Sequence, residues 1–358
     1  MPELSRPESC LTDGVIVQKW ALIGLAMLLV SQAHSQPPRP QPKPQQKGSA
    51  ARKATGPPPL SLDEVAVDSS VQPQINKDDT GSAVLRAQIL LARAHFSCGE
   101  IDARFGTNLQ TTVRAYQQEH NLPVSGSVDD ATWKLLNQDL VVPITAFTIT
   151  PEDETGPFVN IPADMMQQAK LPALGFRSPL EEFAERYHSS TEVLRLLNPG
   201  ADFSRPGQEL KAPDVRVAAP GTAARVVVSK GESSVRVYDD KGKLLAFYMA
   251  TTGSEHDPLP LGDWKITWVG WNPKFHYNPK LFWDAKKTDD PATIKPGPNN
   301  PVGVVWINLS KEHYGIHGTP DPGKVGHAFS HGCIRLTNWD ATELGEMVKP
   351  GTPATLKE

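Results

Sequence analysis

The segment SHGCIRLTN at residues 330–338, together with YGIHGT at residues 314–319, decides how this sequence is interpreted. A cysteine attacks a carbonyl as its thiolate, and a neighbouring imidazole can take its proton or stabilise its charge. His331 stands two residues before Cys333, and His317 stands sixteen residues before it. Residues two apart in a strand share a face, so His331 and Cys333 could project together. The pattern predicts a cysteine nucleophile with a histidine partner.

The residues around the cysteine fit the same chemistry. Gly332 lets the backbone approach a substrate closely, and the amides of Gly332 and Cys333 could form an oxyanion hole. Arg335 continues the alternation and could bind a carboxylate with both of its amino groups, or hold the loop. The segment thus supplies a nucleophile, amide donors and a cation.

Two other interpretations remain open for these residues. A lone cysteine is often a small buried hydrophobe. The chain also has histidines in two pairs, each four residues apart, which suggest zinc only if both pairs lie on helices; the four are His313, His317, His327 and His331. Gly315, Gly318 and Pro320 disfavour a helix across the first pair.

The motif lies within a unit predicted to be mostly β, at residues 223–358. Short β-branched and aromatic runs alternate with turn-forming residues, and no long helix is apparent, which favours a β-sandwich. The proline- and asparagine-rich stretch 270–301 is long for a connection inside a domain. It is predicted to be a lid or a wall of the substrate site, the alternative being a loop folded back as extra core.

At this point the unit resembles the L,D-transpeptidase catalytic domain of the YkuD type, whose signature joins an upstream histidine to [ST]-H-G-C-x-R-x-x-N. The resemblance covers about residues 223–357, departing at PLPLG (258–262) in a support position. By position, it implies that Cys333 is the acylated nucleophile, that His317 is the general base and that the Gly318 backbone orients it. It places His331 among the catalytic residues, and it places the remaining motif residues at the substrate: Arg335, Asn338, Ser330, Tyr314 and Gly332.

The resemblance also implies a reaction. The thiolate attacks the carbonyl of the diamino acid in a peptidoglycan tetrapeptide stem and expels D-alanine, and an amine of a neighbouring stem then takes the acyl group. No cofactor or metal is needed, and a carbapenem that mimics the acyl donor would be expected to add at Cys333. Water as acceptor would make a carboxypeptidase, and the lysine of an outer-membrane lipoprotein would make an anchoring enzyme. A non-catalytic scaffold and an exported cysteine protease or zinc hydrolase are the alternatives from other classes.

Two smaller units precede this one. Apolar residues at helical spacing in residues 81–140 predict an all-α bundle of three helices, and IDARFG, VRAYQQEHNLPVSG and ATWKLL resemble the peptidoglycan-binding domain of cell-wall hydrolases. It is expected to bind peptidoglycan on its own, the alternative being a spacer bundle. Residues 174–215 resemble the latter part of a LysM glycan-binding module, with α+β structure but without its opening strand, so sugar binding there stays open.

The N-terminal residues predict export. An apolar run of eleven residues, 20–30, followed by Ala33-His34-Ser35, is typical of a signal peptide over residues 1–35. Residues 36–80 are predicted to be a proline-rich disordered linker. A net charge of −4 gives no case for nucleic-acid binding. Together, these predictions describe a multidomain chain of 358 residues. It is expected to lie in the periplasm and to act on peptidoglycan stems and glycan.

Overall fold

The computed structural model describes residues 61–358. The predicted signal peptide (1–35) and the first part of the predicted linker (36–60) lie outside the described residues. None of the helices between residues 61 and 358 has the length and the apolar character needed to cross a membrane.

The N-terminal unit is the predicted helical bundle with one short strand added. Its elements are α1 (Glu64–Asp68), α2 (Ser82–Arg93), β1 (Phe96–Ser97), α3 (Thr107–Glu119) and α4 (Asp130–Leu136). Asp129 caps α4, since its carboxylate accepts from the Thr132 amide at 2.9 Å. Helix α3 begins at Thr107, and Gly106 is its N-cap without a side-chain bond.

The predicted disordered linker over 36–80 is wrong for residues 61–80. Helix α1 lies there, with Asp63 as its N-cap and with Val67 fully buried. The Arg86 guanidinium donates to the Val67 carbonyl at 2.9 Å, and Ile75 forms a β-bridge with Val128. The stretch lacks aromatic residues, but two aliphatic side chains and a buried arginine are sufficient to order it against the bundle.

The middle unit has four short helices between a pair of strands. Its elements are β2 (Ile144–Thr148), α5 (Pro151–Thr155), α6 (Met165–Gln168), α7 (Pro179–Arg186), α8 (Thr191–Leu197) and β3 (Glu209–Pro213). β2 pairs antiparallel with β3. The predicted boundary at residue 174 is therefore too late: an opening strand exists, but residues 149–178 separate it from α7 and hide it in the sequence.

The C-terminal unit is mostly β, which confirms the predicted fold class. Its elements are β4 (Arg225–Ser229), β5 (Ser234–Tyr238), β6 (Leu244–Met249), β7 (Gly262–Trp271), β8 (Phe275–Tyr277), β9 (Ala292–Ile294), β10 (Val305–Leu309), β11 (Gly315–His317), β12 (Ile334–Arg335), α9 (Asn338–Met347) and β13 (Pro353–Lys357), with 3-10 turns at Pro279–Leu281 and Pro322–Lys324. Within residues 61–358, nine strands form one sheet in the order β1-β6-β5-β4-β13-β7-β10-β11-β12. Helix α9 was not predicted.

The bundle and the sheet of the C-terminal unit share a core. β1 pairs in parallel with β6, placing Phe96 beside Phe247 and Ser97 beside Tyr248. Side chains of the bundle and of the sheet belong to one buried cluster, to which the C-terminal unit contributes Leu244, Phe247, Met249 and Val325. The bundle is thus built onto the edge of the sheet and covers its last strand.

Candidate active site

Three neighbouring strands place the predicted catalytic residues side by side. β11 and β12 run parallel, with His317 in register with Arg335, and β10 places Trp306 opposite His317 on the other side. Cys333 immediately precedes β12. Neighbouring strands lie about 4.8 Å apart, so the sheet brings the thiol, the imidazole and the guanidinium together from distant positions in the sequence.

The surroundings of His317 make it a neutral base. Its Nδ1 lies 2.7 Å from the Gly318 carbonyl oxygen, which can only accept, so Nδ1 carries the proton and Nε2 keeps a lone pair. The ring is 3% exposed and stacks on Trp306 with centroids 5.3 Å apart. Burial, and secondly the charge of Arg335, lower the pKa of His317 to about 3. The predicted orienting role of the Gly318 backbone agrees with this contact.

Cys333 is also neutral in this state. Burial raises the pKa of its thiol, opposed by the Gly315 amide and by the Arg335 charge. The Sγ donates to the His313 carbonyl at 3.7 Å, and among the hydrogen bonds of residues 61–358 there is none between this thiol and His317. His313 has a φ of +67°, an uncommon backbone conformation for a non-glycine residue that occurs at active sites. Before the thiol proton can pass to His317, the thiol must therefore leave the His313 carbonyl. Catalytic hydrogen bonds often form only when a substrate is bound.

The turn before the nucleophile needs glycine. Gly332 has a φ of +94°, and a Cβ at this position would lie 2.7 Å from Cε1 of Tyr314. The aromatic ring therefore packs directly on the glycine. Within the described part of the chain, the amides of Gly332 and Cys333 donate to no other group of the protein. Two unused N–H groups beside the sulfur are what an oxyanion hole requires.

Arg335 is a cation without a counter-ion in residues 61–358. Its side chain forms no salt bridge or hydrogen bond there, and its Nε is buried without a partner. Burial lowers the pKa of the guanidinium, although it stays charged near neutral pH. An unpaired buried guanidinium is costly unless an anion arrives, which agrees with its predicted role towards a carboxylate.

Ser330 and Asn338 were predicted to contact the substrate, and in the structure both side chains are buried and hydrogen-bonded to the backbone around the site. Ser330 is 3% exposed and its hydroxyl donates to the Cys333 carbonyl at 2.5 Å. Asn338 is 2% exposed, donating to the Pro298 carbonyl at 3.1 Å and accepting from the Val304 amide at 3.2 Å. The polar groups of both side chains are thus occupied by hydrogen bonds to the backbone.

His331 points to the lid rather than to the catalytic pair. Its Nε2 lies 2.9 Å from a carboxylate oxygen of Asp284. Phe282 and Trp283 pack around the ring, with centroids 5.0 and 6.0 Å away. The other ring nitrogen, Nδ1, is buried without a hydrogen-bond partner among the described residues.

The stretch 270–301 lies beside the site, where a lid or substrate wall was predicted. It contains the β8–β9 hairpin, and its buried residues Tyr277 and Ile294 form a small core with Leu174 and with partly buried residues of segment 161–171. This core is separate from the main core of the sheet, which disfavours the alternative that the loop is extra sandwich core.

The sequence offered little signal for several residues that shape the site. Asp284 and the His313 carbonyl act through contacts that no local motif indicates. For the zinc alternative, no three histidine, cysteine or acidic side chains in residues 61–358 lie close enough together to hold a metal ion.

Comparison with known proteins gives the family. The family model described as "L,D-transpeptidase catalytic domain" matches residues 223–356, and the one described as "Putative peptidoglycan binding domain" matches residues 80–136. The "Putative L,D-transpeptidase YkuD" of Bacillus licheniformis is 30% identical over 180 residues, which are 49% of this chain and 92% of that protein. The chain belongs to the L,D-transpeptidase family and contains its catalytic domain.

The chain is also similar to other proteins. The "Probable L,D-transpeptidase YbiS" of Escherichia coli K12 is 27% identical over 184 residues, which cover 50% of this chain and 60% of that protein. Among solved structures, the L,D-transpeptidase of Xylanimonas cellulosilytica is 15% identical with a TM-score of 0.35, covering 80% of this chain and 98% of that one. L,D-transpeptidase 3 of Mycobacterium tuberculosis, solved with a faropenem-derived adduct, is 18% identical with a TM-score of 0.32, covering 43% and 75% of the two chains.

Proposed function

We propose that this chain is an exported cysteine L,D-transpeptidase that acts in the periplasm on peptidoglycan. Cys333 is acylated by the diamino-acid residue of a tetrapeptide stem, D-alanine leaves, and an amine of a neighbouring stem takes the acyl group. The observation that carries the proposal is the position of Cys333 beside the strand pair in which His317 and Arg335 are in register. The proposed export rests on the sequence of residues 1–35 alone.

The first half-reaction follows from the protonation states. His317 Nε2 takes the thiol proton, and the sulfur attacks the stem carbonyl, forming the C–S bond. The amides of Gly332 and Cys333 receive the developing oxyanion. Protonated His317, whose pKa is about 3, is a strong acid in this buried site and gives its proton to the leaving D-alanine amine as the C–N bond breaks.

The second half-reaction reverses these roles. The acceptor amine attacks the thioester carbonyl and gives a proton to His317 Nε2, and the C–S bond breaks as the new amide forms. The thiolate then regains its proton from His317, so no cofactor is consumed. Arg335 holds a carboxylate of the stem, and Tyr314, packed against Gly332, lines the position of the reacting carbonyl.

The two other units are proposed to bind the wall. The bundle would bind peptidoglycan, and the strand–helix–helix–strand unit of residues 144–213 would contact glycan. For the middle unit, the support is its arrangement of β2, α7, α8 and β3 together with the resemblance of its sequence to part of a LysM module.

The test is incubation of the protein with a purified disaccharide-tetrapeptide, followed by mass spectrometry. A cross-linked dimer with release of one alanine is expected. Alanine release without a dimer would indicate a carboxypeptidase, a dimer only with a lipoprotein acceptor would indicate an anchoring enzyme, and no change would favour a scaffold. Cys333→Ser should abolish every product, whereas Cys98→Ser, the matched control on a buried free thiol, should not.

A further inference from the structure

The helical bundle touches the segment that carries the nucleophile. We define the nucleophile loop as residues 321–333, between β11 and β12. Asn108, the second residue of α3, donates from its amide nitrogen to the Val325 carbonyl at 2.8 Å. The Val325 side chain is 2% exposed and belongs to the same buried cluster as Phe105 and Leu109 of the bundle. The start of the loop is therefore anchored in part by the bundle.

The contact between bundle and loop is close. Gly326 follows Val325 with a φ of +77°, and a Cβ at this position would lie 2.4 Å from Oδ1 of Asn108. The Gly326 amide donates to the Thr251 hydroxyl at 2.9 Å, and this hydroxyl donates to the Lys324 carbonyl at 3.3 Å. The amide of Asn108 and the hydroxyl of Thr251 thus hold three consecutive loop residues.

The end of the loop is tied to the same place. Thr251 exchanges two backbone hydrogen bonds of 2.9 Å with Arg335, and the Ser330 amide donates to the Thr252 carbonyl at 3.0 Å. Thr251 and Thr252 come two and three residues after the end of β6, and β6 is the strand that pairs with β1 of the bundle. Both ends of the segment that leads to Cys333 are therefore supported, directly or through one strand, by the bundle.

We propose that the bundle is a positioning element of the active site, in addition to any binding of the wall, and that Asn108 is a positioning residue for Cys333. The amide of Asn108 and the packing of Val325 fix the start of the nucleophile loop, so that the thiol and the unused amides of Gly332 and Cys333 meet the substrate carbonyl in a reactive geometry. This inference rests on the proposed role of Cys333 as nucleophile.

The test uses Asn108→Asp, which keeps the size of the side chain but removes the N–H donor. The matched control is Asn137→Ala: Asn137 also donates to a backbone carbonyl, that of Ser70 at 2.9 Å, but on the side of α1. Mass spectrometry measures the rate of acylation at several carbapenem concentrations. The series gives the limiting acylation rate separately from the carbapenem concentration at which the rate is half-maximal. Turnover of the soluble disaccharide-tetrapeptide and the melting temperature are measured alongside.

Asn108→Asp is expected to lower the limiting acylation rate about five- to tenfold, the equivalent of one lost hydrogen bond. The concentration for half-maximal rate should change little, and Asn137→Ala should acylate normally with an equal or larger loss of melting temperature. Hydrogen exchange should speed up in residues 321–333 of Asn108→Asp but not in α4. A rate within twofold of the unaltered protein, or an equal rate loss in both variants, would overturn the proposal.

A second pair of variants keeps the test decisive if Asn108→Asp is unstable. Gly326→Ala should slow acylation because its Cβ meets the Asn108 amide, and Asn108→Ala in the same chain should restore part of the rate by removing that clash. Additive effects would contradict the proposed contact. If the unaltered protein acquires no adduct at Cys333, the proposed function fails; if it does and the variants match it, only this inference fails.

Discussion

Removing the helical bundle should unfold the catalytic unit and not merely weaken its binding to the wall. A chain that begins at Val141 exposes the face of the sheet that the bundle covers. Four side chains of the C-terminal unit lie in the shared core, each at most 5% exposed: Leu244, Phe247, Met249 and Val325. Exposing a buried apolar side chain costs about 1.5–3 kcal/mol, so the four together cost on the order of 6–12 kcal/mol.

That loss compares with a total free energy of unfolding of about 5–15 kcal/mol for a typical domain. It is an upper value, because the exposed side chains can pack against one another, but strand β6 also loses its partner. Circular dichroism melting of the truncated chain and of residues 61–358 measures the effect. Turnover of soluble tetrapeptide and of insoluble sacculi should then be lost together.

The result that would refute this reasoning is a truncated chain that melts within about 5 °C of the longer one and still turns over the soluble substrate. A point mutation tests the same contact more gently. Phe96 of the bundle stacks on Phe247 of the sheet with centroids 6.2 Å apart. Each substitution by alanine should cost about 3–5 kcal/mol, and the double variant should cost less than the two together because the pair shares one contact.

Four further outcomes are expected. A carbapenem should add one mass equivalent to the protein and to Cys98→Ser but not to Cys333→Ser. Histidine NMR should find His317 neutral at and above pH 5, because burial lowers its pKa to about 3; a titration near pH 6.5 would contradict its burial. Asp284→Asn should lower kcat/KM about three- to tenfold at an unchanged melting temperature, as for a charged hydrogen bond weakened to a neutral one. Burial raises the pKa of Asp340 to about 8, so this carboxyl group destabilises the fold increasingly as the pH rises from about 4 to 8. Urea unfolding should therefore show that the free energy of unfolding of Asp340→Asn increases relative to that of the unaltered protein between pH 5.5 and 8.

The strands of the catalytic unit and the helices of the bundle could be predicted, because each follows from a local pattern of residue types. The alternating runs gave the strands of the catalytic unit, and helical spacing gave the bundle. The docking of β1 on β6 was not predictable, because Phe96 and Ser97 form a strand of two residues whose partner lies some 150 residues away. Helix α9 did leave a signal: Thr337 accepts from the Asp340 amide at 3.1 Å as an N-cap, and a threonine followed by an acidic residue three positions on is a known helix start.

The motif supplied the residue types of the candidate site but not their environments. SHGC and HGT indicated a thiol with an imidazole, yet nothing in either string indicates that Asn338 and Ser330 are buried and bonded to the backbone. Their exposure depends on α9, of which only the first residue belongs to the motif, and on the loop around Pro298, which lies outside the motif. The contact of His331 with Asp284 was likewise hidden, since it joins the motif to a lid whose position is set by a separate small core.

The charges around Cys333 and His317 suggest why a buried neutral pair suits this reaction. A permanent thiolate would be open to oxidation, whereas burial raises the pKa of the Cys333 thiol and keeps it protonated. The charge of Arg335 contributes to the low pKa of His317, so a substrate carboxylate that pairs with Arg335 would cancel part of that effect and make the imidazole a stronger base. Arrival of the substrate would thereby favour ionisation of the thiol. Histidine NMR in the presence of the tetrapeptide, with Cys333→Ser to prevent turnover, should accordingly show a higher pKa for His317 than in the free protein; an unchanged pKa would mean that Arg335 binds no carboxylate.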